Sequence, residues 1–227
     1  MADAVAAAEK SPNAWAQAVA AVVLISALGG GLWALQKTSA HNADEPATCS
    51  ADKKAKPSKR VSGTELCTAL NRTDLPTLLG TPQEQAETAH GSQTSFELPS
   101  GTRIAIPEAT VTLETYSVKL SRSYDDLPIA GTTDRLSSPE KKTVLGHPAV
   151  LYSDRTIALS FSLGGGKAES GPGGIARTLQ VAPDPKDGGG SFEIAIWRQD
   201  SVVPDDAALL RVAEKVLPTL PGWTTTG

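Results

Sequence analysis

Few residues in this chain stand where chemistry needs them. Gly164-Gly165-Gly166-Lys167 invites a phosphate-loop reading. That loop requires a glycine five residues ahead of the Gly-Lys pair and a Ser or Thr behind it. Phe161 and Ala168 hold those places, so a flexible hairpin loop is the expectation. His41, His90 and His147 are the three histidines, and none is spaced with another His, Cys or Asp as metal ligands are. His147 falls in a Gly146-His147-Pro148 turn, where it fits the backbone. No serine lies in a Gly-x-Ser-x-Gly elbow. Asp125-Asp126 and Asp205-Asp206 are adjacent carboxylates, and sequence neighbours do not face each other on a helix. Both pairs precede helical patterns, where capping accounts for them. Asp184 and Asp187 flank prolines and glycines with too few further carboxylates for a calcium loop. No catalytic, cofactor-binding or metal-binding residue is assigned, and no cofactor is implied.

The elements around these residues are more legible. Ala14 to Leu35 runs 22 residues without a charge. As a helix it is roughly 33 Å long, against a hydrocarbon core of roughly 30 Å. Trp15 and Trp33 stand near its ends, where indole rings settle at a bilayer interface. A cleaved signal peptide and a lipoprotein are the rivals. The first 13 residues hold Asp3, Glu9 and one lysine, Lys10, which is no basic n-region. Cys49 lies well past the apolar run, a poor place for lipidation. A retained anchor is the reading taken. Gly29-Gly30-Gly31 is either a tolerated weak turn or a packing surface for a partner helix.

Residues 1–13 form a short tail and 36–60 a polar tether. The tether carries six basic and three acidic residues; residues 61–227 carry 14 basic and 20 acidic ones. A domain at −6 repels phosphate backbones, which excludes nucleic acid as a partner. The cluster Lys53 to Arg60 is a solvated spacer or a contact for anionic headgroups or wall polymer.

Residues 61–223 read as one α+β domain, followed by a tail at 224–227. Ser62-Gly63-Thr64-Glu65 is a capping box, opening a helix with Leu66, Cys67 and Leu70 on one face. Asp74 opens a second short helix and Gly80 ends it. From Thr94 the period becomes two. Val111 and Leu113 share one parity, Tyr116, Val118 and Leu120 the other, which suggests a bulge or a strand buried on both faces. Tyr124 to Leu136 suggests a short helix opened by Asp125-Asp126. Thr143 to Tyr152 reads as two strands around the His147 turn. Ser153-Asp154-Arg155 reads as a turn before a strand to Leu163. Gly171-Pro172-Gly173-Gly174 bounds a loop, and strands follow at Ala176–Val181 and Phe192–Trp197. A closing helix is expected after Pro204-Asp205-Asp206, with Ala207, Leu210, Ala213, Val216 and Leu217 as its apolar stripe. The layout implies an antiparallel sheet of five to seven strands with two to four helices on one face.

Cys49 and Cys67 are the only cysteines. Either they close a loop of 18 residues, which needs an oxidising space, or they are unrelated thiols. Lysine counts on the two sides of Ala14–Leu35 slightly favour the domain inside; a disulfide argues for outside.

Asn13-Ala-Trp-Ala-Gln-Ala-Val-Ala-Ala21, Pro46-Ala-Thr-Cys49, Leu66-Cys67-Thr-Ala-Leu-Asn71, Thr143 to Arg155, Ile194 to Asp200 and Asp205 to Leu217 carry a resemblance. Over nearly the whole chain the sequence resembles a Streptomyces-type actinobacterial family of single-pass membrane proteins of unknown function. More distantly it is similar to actinobacterial cell-envelope lipoproteins of unknown role. The resemblance implies an outward-facing domain and a cytoplasmic N-terminus, and transfers no catalytic residue.

The expectation is therefore a membrane-tethered, non-enzymatic binding or accessory module of the envelope, with the bilayer as partner through residues 14–35 and an envelope protein or wall polymer beyond it. If the glycine-rich loops at 164–174 and 183–190 meet at one end of the sheet, they form its contact surface. The alternatives are an envelope hydrolase with His147 and carboxylates assembled by folding, and a structural subunit of a membrane complex.

Overall fold

A computed structural model describes residues 45–51, 60–97, 103–125, 127–133, 136, 138–160 and 169–224. The expected membrane helix with Trp15 and Trp33, the lysines at 53–59 and the Gly164–Lys167 stretch lie outside them. No described helix is long and apolar enough to cross a membrane. Residues 46–227 group as one unit.

The first strand, β1 (Ser50–Ala51), is followed by helices α1 (Gly63–Leu70) and α2 (Leu75–Leu79), then strands β2 (Thr88–Glu97), β3 (Arg103–Thr112) and β4 (Tyr116–Ser123). After a 3₁₀ turn at Ile129–Gly131 come β5 (Glu140–Val144), β6 (His147–Ser160), β7 (Glu169–Val181), β8 (Ser191–Arg198) and helix α3 (Asp206–Val216). The sheet order is β1-β2-β3-β4-β8-β7-β6-β5. Seven strands pair antiparallel, and β1 adds two parallel residues along β2. Seven antiparallel strands with three helices make the domain α+β, as the alternating segments predict.

Helix α1 starts where its local chemistry dictates. Ser62 Oγ accepts from the Glu65 N–H at 3.2 Å, and the Glu65 carboxylate accepts from the Ser62 N–H at 2.7 Å. Leu66, Cys67 and Leu70 turn inward. Gly80 closes α2 in the left-handed region at φ 87°. The Ser62 N–H and hydroxyl hold the Glu65 carboxyl below its ordinary value of 4.5. A carboxyl lowered on folding contributes stability above its unfolded value, and that stability is lost as pH falls through the folded one. The Glu65→Gln variant is therefore expected to lose less stability than wild type between pH 7 and pH 3, read as the shift in urea midpoint.

The core lies between the sheet and its helices. Val111, Val118, Leu120, Leu151, Leu179, Ile194 and Ile196 face Leu66, Leu70, Leu209, Val212 and Val216, all buried. Each such side chain stabilises by about 1.5–3 kcal/mol relative to exposure. Helix α1 packs on β2 and β3, and α3 packs on β7 and β8. The Asp205 carboxylate caps α3 by accepting from the Ala207 N–H at 3.0 Å. The buried stripe of α3 is Ala208, Leu209, Val212, Ala213 and Val216, so the expected stripe is one residue out of phase at its start and Ala207 is exposed.

Four local expectations are corrected. The parity switch after Val111 is a hairpin turn, not a bulge: Leu113 N–H reaches Tyr116 O at 2.7 Å, and Val111 sits opposite Val118. The turn before β6 uses Leu145 and Gly146, both at positive φ (52° and 82°), the pattern of a two-residue hairpin loop. His147 is thus the first residue of β6. Ser153-Asp154-Arg155 is no turn; β6 runs through it, with an irregularity between Arg155 and Ile157. Gly171-Pro172-Gly173-Gly174 lies within β7: Gly171 and Pro172 pair with Ala158 and Ile157, and Gly173 and Gly174 fall at the irregularity. A Cβ on Gly173 would stand 2.3 Å from Thr156 Oγ1, so glycine is what lets the two strands close at the irregularity. Pro172 is tolerated because β8 pairs β7 only from Ala176 onward, leaving its missing N–H on a free edge.

The root of the domain is fastened three ways. A disulfide joins Cys49 to Cys67, with Cα atoms 5.9 Å apart. Ala47 N–H donates to Ala86 O at 2.8 Å, and Asn71 Nδ2 donates to Ala47 O at 2.7 Å. Ala47 is buried in the main core.

Candidate functional site

Strand parity sends His147 to the helix-covered side of β6, where it is fully buried. Its Nδ1 lies 2.9 Å from Ala182 O, so Nδ1 carries the proton and donates. The ring stacks on Trp223 at 3.9 Å and 22°. Thr224 holds that indole in place, donating its N–H and hydroxyl to Pro183 O at 3.1 and 2.9 Å. Nε2 has no hydrogen-bond partner. A general base must reach a substrate proton, and this nitrogen faces packed side chains. No serine or carboxylate is bonded to His147, so the hydrolase constellation is not assembled there.

His90 meets a serine instead. Ser50 Oγ lies 3.0 Å from His90 Nδ1 and 3.2 Å from Ala89 O. Both side chains are exposed on the edge of the sheet. Among the described residues no carboxylate bonds His90, so the orienting group of a nucleophilic triad is missing.

The remaining sequence candidates bond to backbone or to cations. Asp125 accepts from the Leu127 N–H at 3.1 Å; Asp126 lies outside the described residues. Among the described residues of 124–136, a 3₁₀ turn at Ile129–Gly131 stands where a short helix is expected. Asp187, in the loop between β7 and β8, caps that turn by accepting from Ile129 and Ala130 N–H at 2.8 and 3.2 Å. Asp184 accepts from Lys186 N–H at 2.7 Å. Among the described residues no three His, Cys, Asp or Glu side chains converge as metal ligands do.

Two arginines organise the interior, and neither stood out in the sequence. Arg177 is buried and bridges Asp206 through Nε and Nη2 at 2.6 and 2.9 Å, with Nη1 donating to Ser153 Oγ at 2.6 Å. The paired Asp206 carboxylate raises its already high basicity. Asp206 itself is half exposed, and Glu140 also approaches Arg177 at 3.5 Å. Asp206→Ala is therefore expected to cost about 1–2 kcal/mol, below the range for a sealed ion pair, read as a urea midpoint shift. Arg122 lies between the rings of Tyr124 and Phe192, 4.6 and 4.5 Å from their centroids. It donates to Ser123 O and Gly189 O, both at 2.6 Å. The signal for both was parity: Tyr116, Val118, Leu120 and Arg122 alternate onto one face, as do Arg177, Leu179 and Val181.

The face of the sheet away from the helices is largely polar, apart from a small buried cluster of Ile129, Val150, Tyr152 and Ala182 at the 3₁₀ turn. Tyr152 donates to the Glu193 carboxylate at 2.8 Å; burial, then the Glu193 charge, pushes its phenol well above the ordinary range. Lys119 pairs with Glu108 at 2.8 Å. A cavity of about 230 Å³ lies where the 3₁₀ turn meets the β5–β6 hairpin, lined by Ile129, Thr133, Lys141 and Val150. Two open clefts of about 500 and 490 Å³ share Ile175 at the other end of the sheet. His147 lines none of the three.

The glycine-rich segments do not share an end. The β6–β7 arm, which holds Gly171–Gly174, extends past the last β7–β8 pair, Ala176 with Trp197. The 183–190 loop joins β7 to β8 at the opposite end. The contact surface expected from the two together is therefore not formed.

The fold and these sites define an α+β domain. The chain belongs to DUF6215, a family of unknown function, whose model matches residues 9–138. That stretch covers Ala14–Leu35, both cysteines, α1, α2 and β2 to β4. No curated protein and no solved structure matches the chain.

Proposed function

We infer that this is a membrane-anchored, extracytoplasmic, non-enzymatic binding or accessory domain of an actinobacterial-type cell envelope. One observation carries the reading: the only two cysteines of the chain are bonded to each other where the domain begins. Such a bond persists in an oxidising space and is uncommon in a reducing cytosol. A 22-residue uncharged stretch precedes it with Trp near each end, the pattern of a spanning helix. The match to the family model starts ahead of that stretch, which supports treating anchor and domain as one unit of function. The sealed surroundings of His147 favour binding over hydrolysis.

The test is extraction of the full-length protein from membranes. It is expected to stay in the pellet through high salt and alkaline carbonate and to enter solution only with detergent. Release by carbonate contradicts the anchor. Hydrolysis of envelope polymer by the purified full-length protein, lost on His147→Gln, contradicts the non-enzymatic reading.

A further inference from the structure

Among the described residues, the end of the domain where the chain enters carries two of the four exposed large apolar side chains, Val202 and Val203; Leu127 and Leu145 lie at the opposite end. Ala47 bonds to Ala86, just ahead of β2. Following the pairings Thr88–Thr112, Thr112–Ser117, Tyr116–Arg198 and Arg155–Ile175 across the sheet puts all these residues at one end. The loop after Arg198 therefore emerges at that end, and in it Val202 and Val203 are 55% and 50% exposed. The loop rests on the root of the β6–β7 arm: a Cβ on Gly174 would lie 3.7 Å from Ser201 Cα. Arm and loop thus make one surface. Leu145, 41% exposed, sits in the β5–β6 turn at the opposite end.

The chain length decides which end meets a bilayer. Residues 36–46 separate the hydrophobic stretch from Ala47, and eleven residues span at most about 40 Å. The far end of the sheet lies a further ~33 Å away along the ten residues of β2. Touching the bilayer with that end would take most of the tether's full extension; the near end requires little of it. Tethering also holds the surface at high local concentration, so two inserted valines suffice where a free protein would need more.

We propose that this end, with Val202 and Val203 and the root of the β6–β7 arm at Gly174 and Ile175, docks on the surface of the bilayer that anchors the chain. The contact is apolar and favours uncharged lipid, because Glu114, Asp154, Asp200 and Asp205 outnumber Arg155 and Arg198 there. The proposal rests on the membrane-anchored reading above.

The test reconstitutes the full chain in phosphatidylcholine vesicles with the photo-crosslinker benzoylphenylalanine at one position per variant: Leu24, Val202 or Leu145. Lipid adducts are expected at Leu24 and at Val202, with a yield at Val202 about tenfold or more above Leu145. Adducts at Leu24 but none at Val202 above the Leu145 level would overturn the docking and leave the anchor standing. Absence of lipid adducts at Leu24 overturns the anchor, and the docking with it. Adducts from Val202 to a second copy of the chain overturn lipid as the occupant.

Discussion

Replacing both cysteines with alanine is expected to lower unfolding stability by about 3 kcal/mol, the chain-entropy value for a closed loop of this length. The bond spans 18 residues, and its effect is not confined to the unfolded chain. Besides the disulfide, residues 46–51 are held by one bond to Ala86, one from Asn71, the Ser50 hydroxyl at Ala89 O and His90 Nδ1, and a two-residue parallel pairing with His90 and Gly91. Those hydrogen bonds lie near the surface and contribute about 1 kcal/mol each at most. Without the sulfurs the segment is free to fray and takes Ala47 out of the core. Alanine is the right substitute because Cys67 is fully buried and a serine hydroxyl there would need a partner. For a domain of this size the loss corresponds to about 6–12 °C in Tm. Wild type with reductant should match the double variant in both urea and thermal unfolding. A loss below about 1 kcal/mol would mean that the cysteines do not fasten the domain.

Gly63→Ala should be at least as damaging, at or above the upper end of the ~1–3 kcal/mol range for overpacking. A Cβ on Gly63 would stand 2.1 Å from Ser92 O, and one on Gly91 would stand 2.3 Å from Gly63 O. Both clashes are with backbone, so no rotamer change relieves them; α1 must lift from β2. Lifting α1 also strains its bond to Cys49, so Gly63→Ala and loss of the disulfide are expected to be non-additive. Gly131→Ala is the control, since nothing lies within 4 Å of its Cβ position. Urea midpoints of the two variants should differ several-fold in their displacement from wild type. Equal displacements would refute the close approach.

The same glycines show why β2 was only half legible. Its core side carries Ala89 and Gly91, small because α1 presses on them, so Thr88 to Gln93 lack the apolar alternation that marks β4 and β8. Local chemistry read correctly at the Ser62–Glu65 box, the left-handed Gly80 and the Asp205 cap; Asp74, expected to cap α2, makes no capping bond and pairs with Arg72 instead. Local chemistry misled where a neighbour decides. Gly171 to Gly174 look like a loop in isolation and lie in β7 because β6 supplies partners for Gly171 and Pro172. A turn displaced by one residue at Leu145-Gly146 moves His147 from an expected surface turn into the core, and with it the one histidine offered for chemistry. The α3 stripe slipped because Ala207-Ala208 and Leu209-Leu210 present apolar residues to either phase. Arg122 and Arg177 were readable only by following strand parity through a charged residue, against the usual exposure of charge.

The account stands on the domain facing an oxidising space outside the membrane, and thiol accounting in intact cells tests that most directly. Cells producing the full-length protein are treated with a membrane-impermeant reductant or left untreated, then denatured and labelled with a mass-tagged maleimide. The account predicts no tag without reductant and two tags with it, before any lysis. Two tags without reductant, or tags that appear only when the reductant is given after lysis, would contradict it.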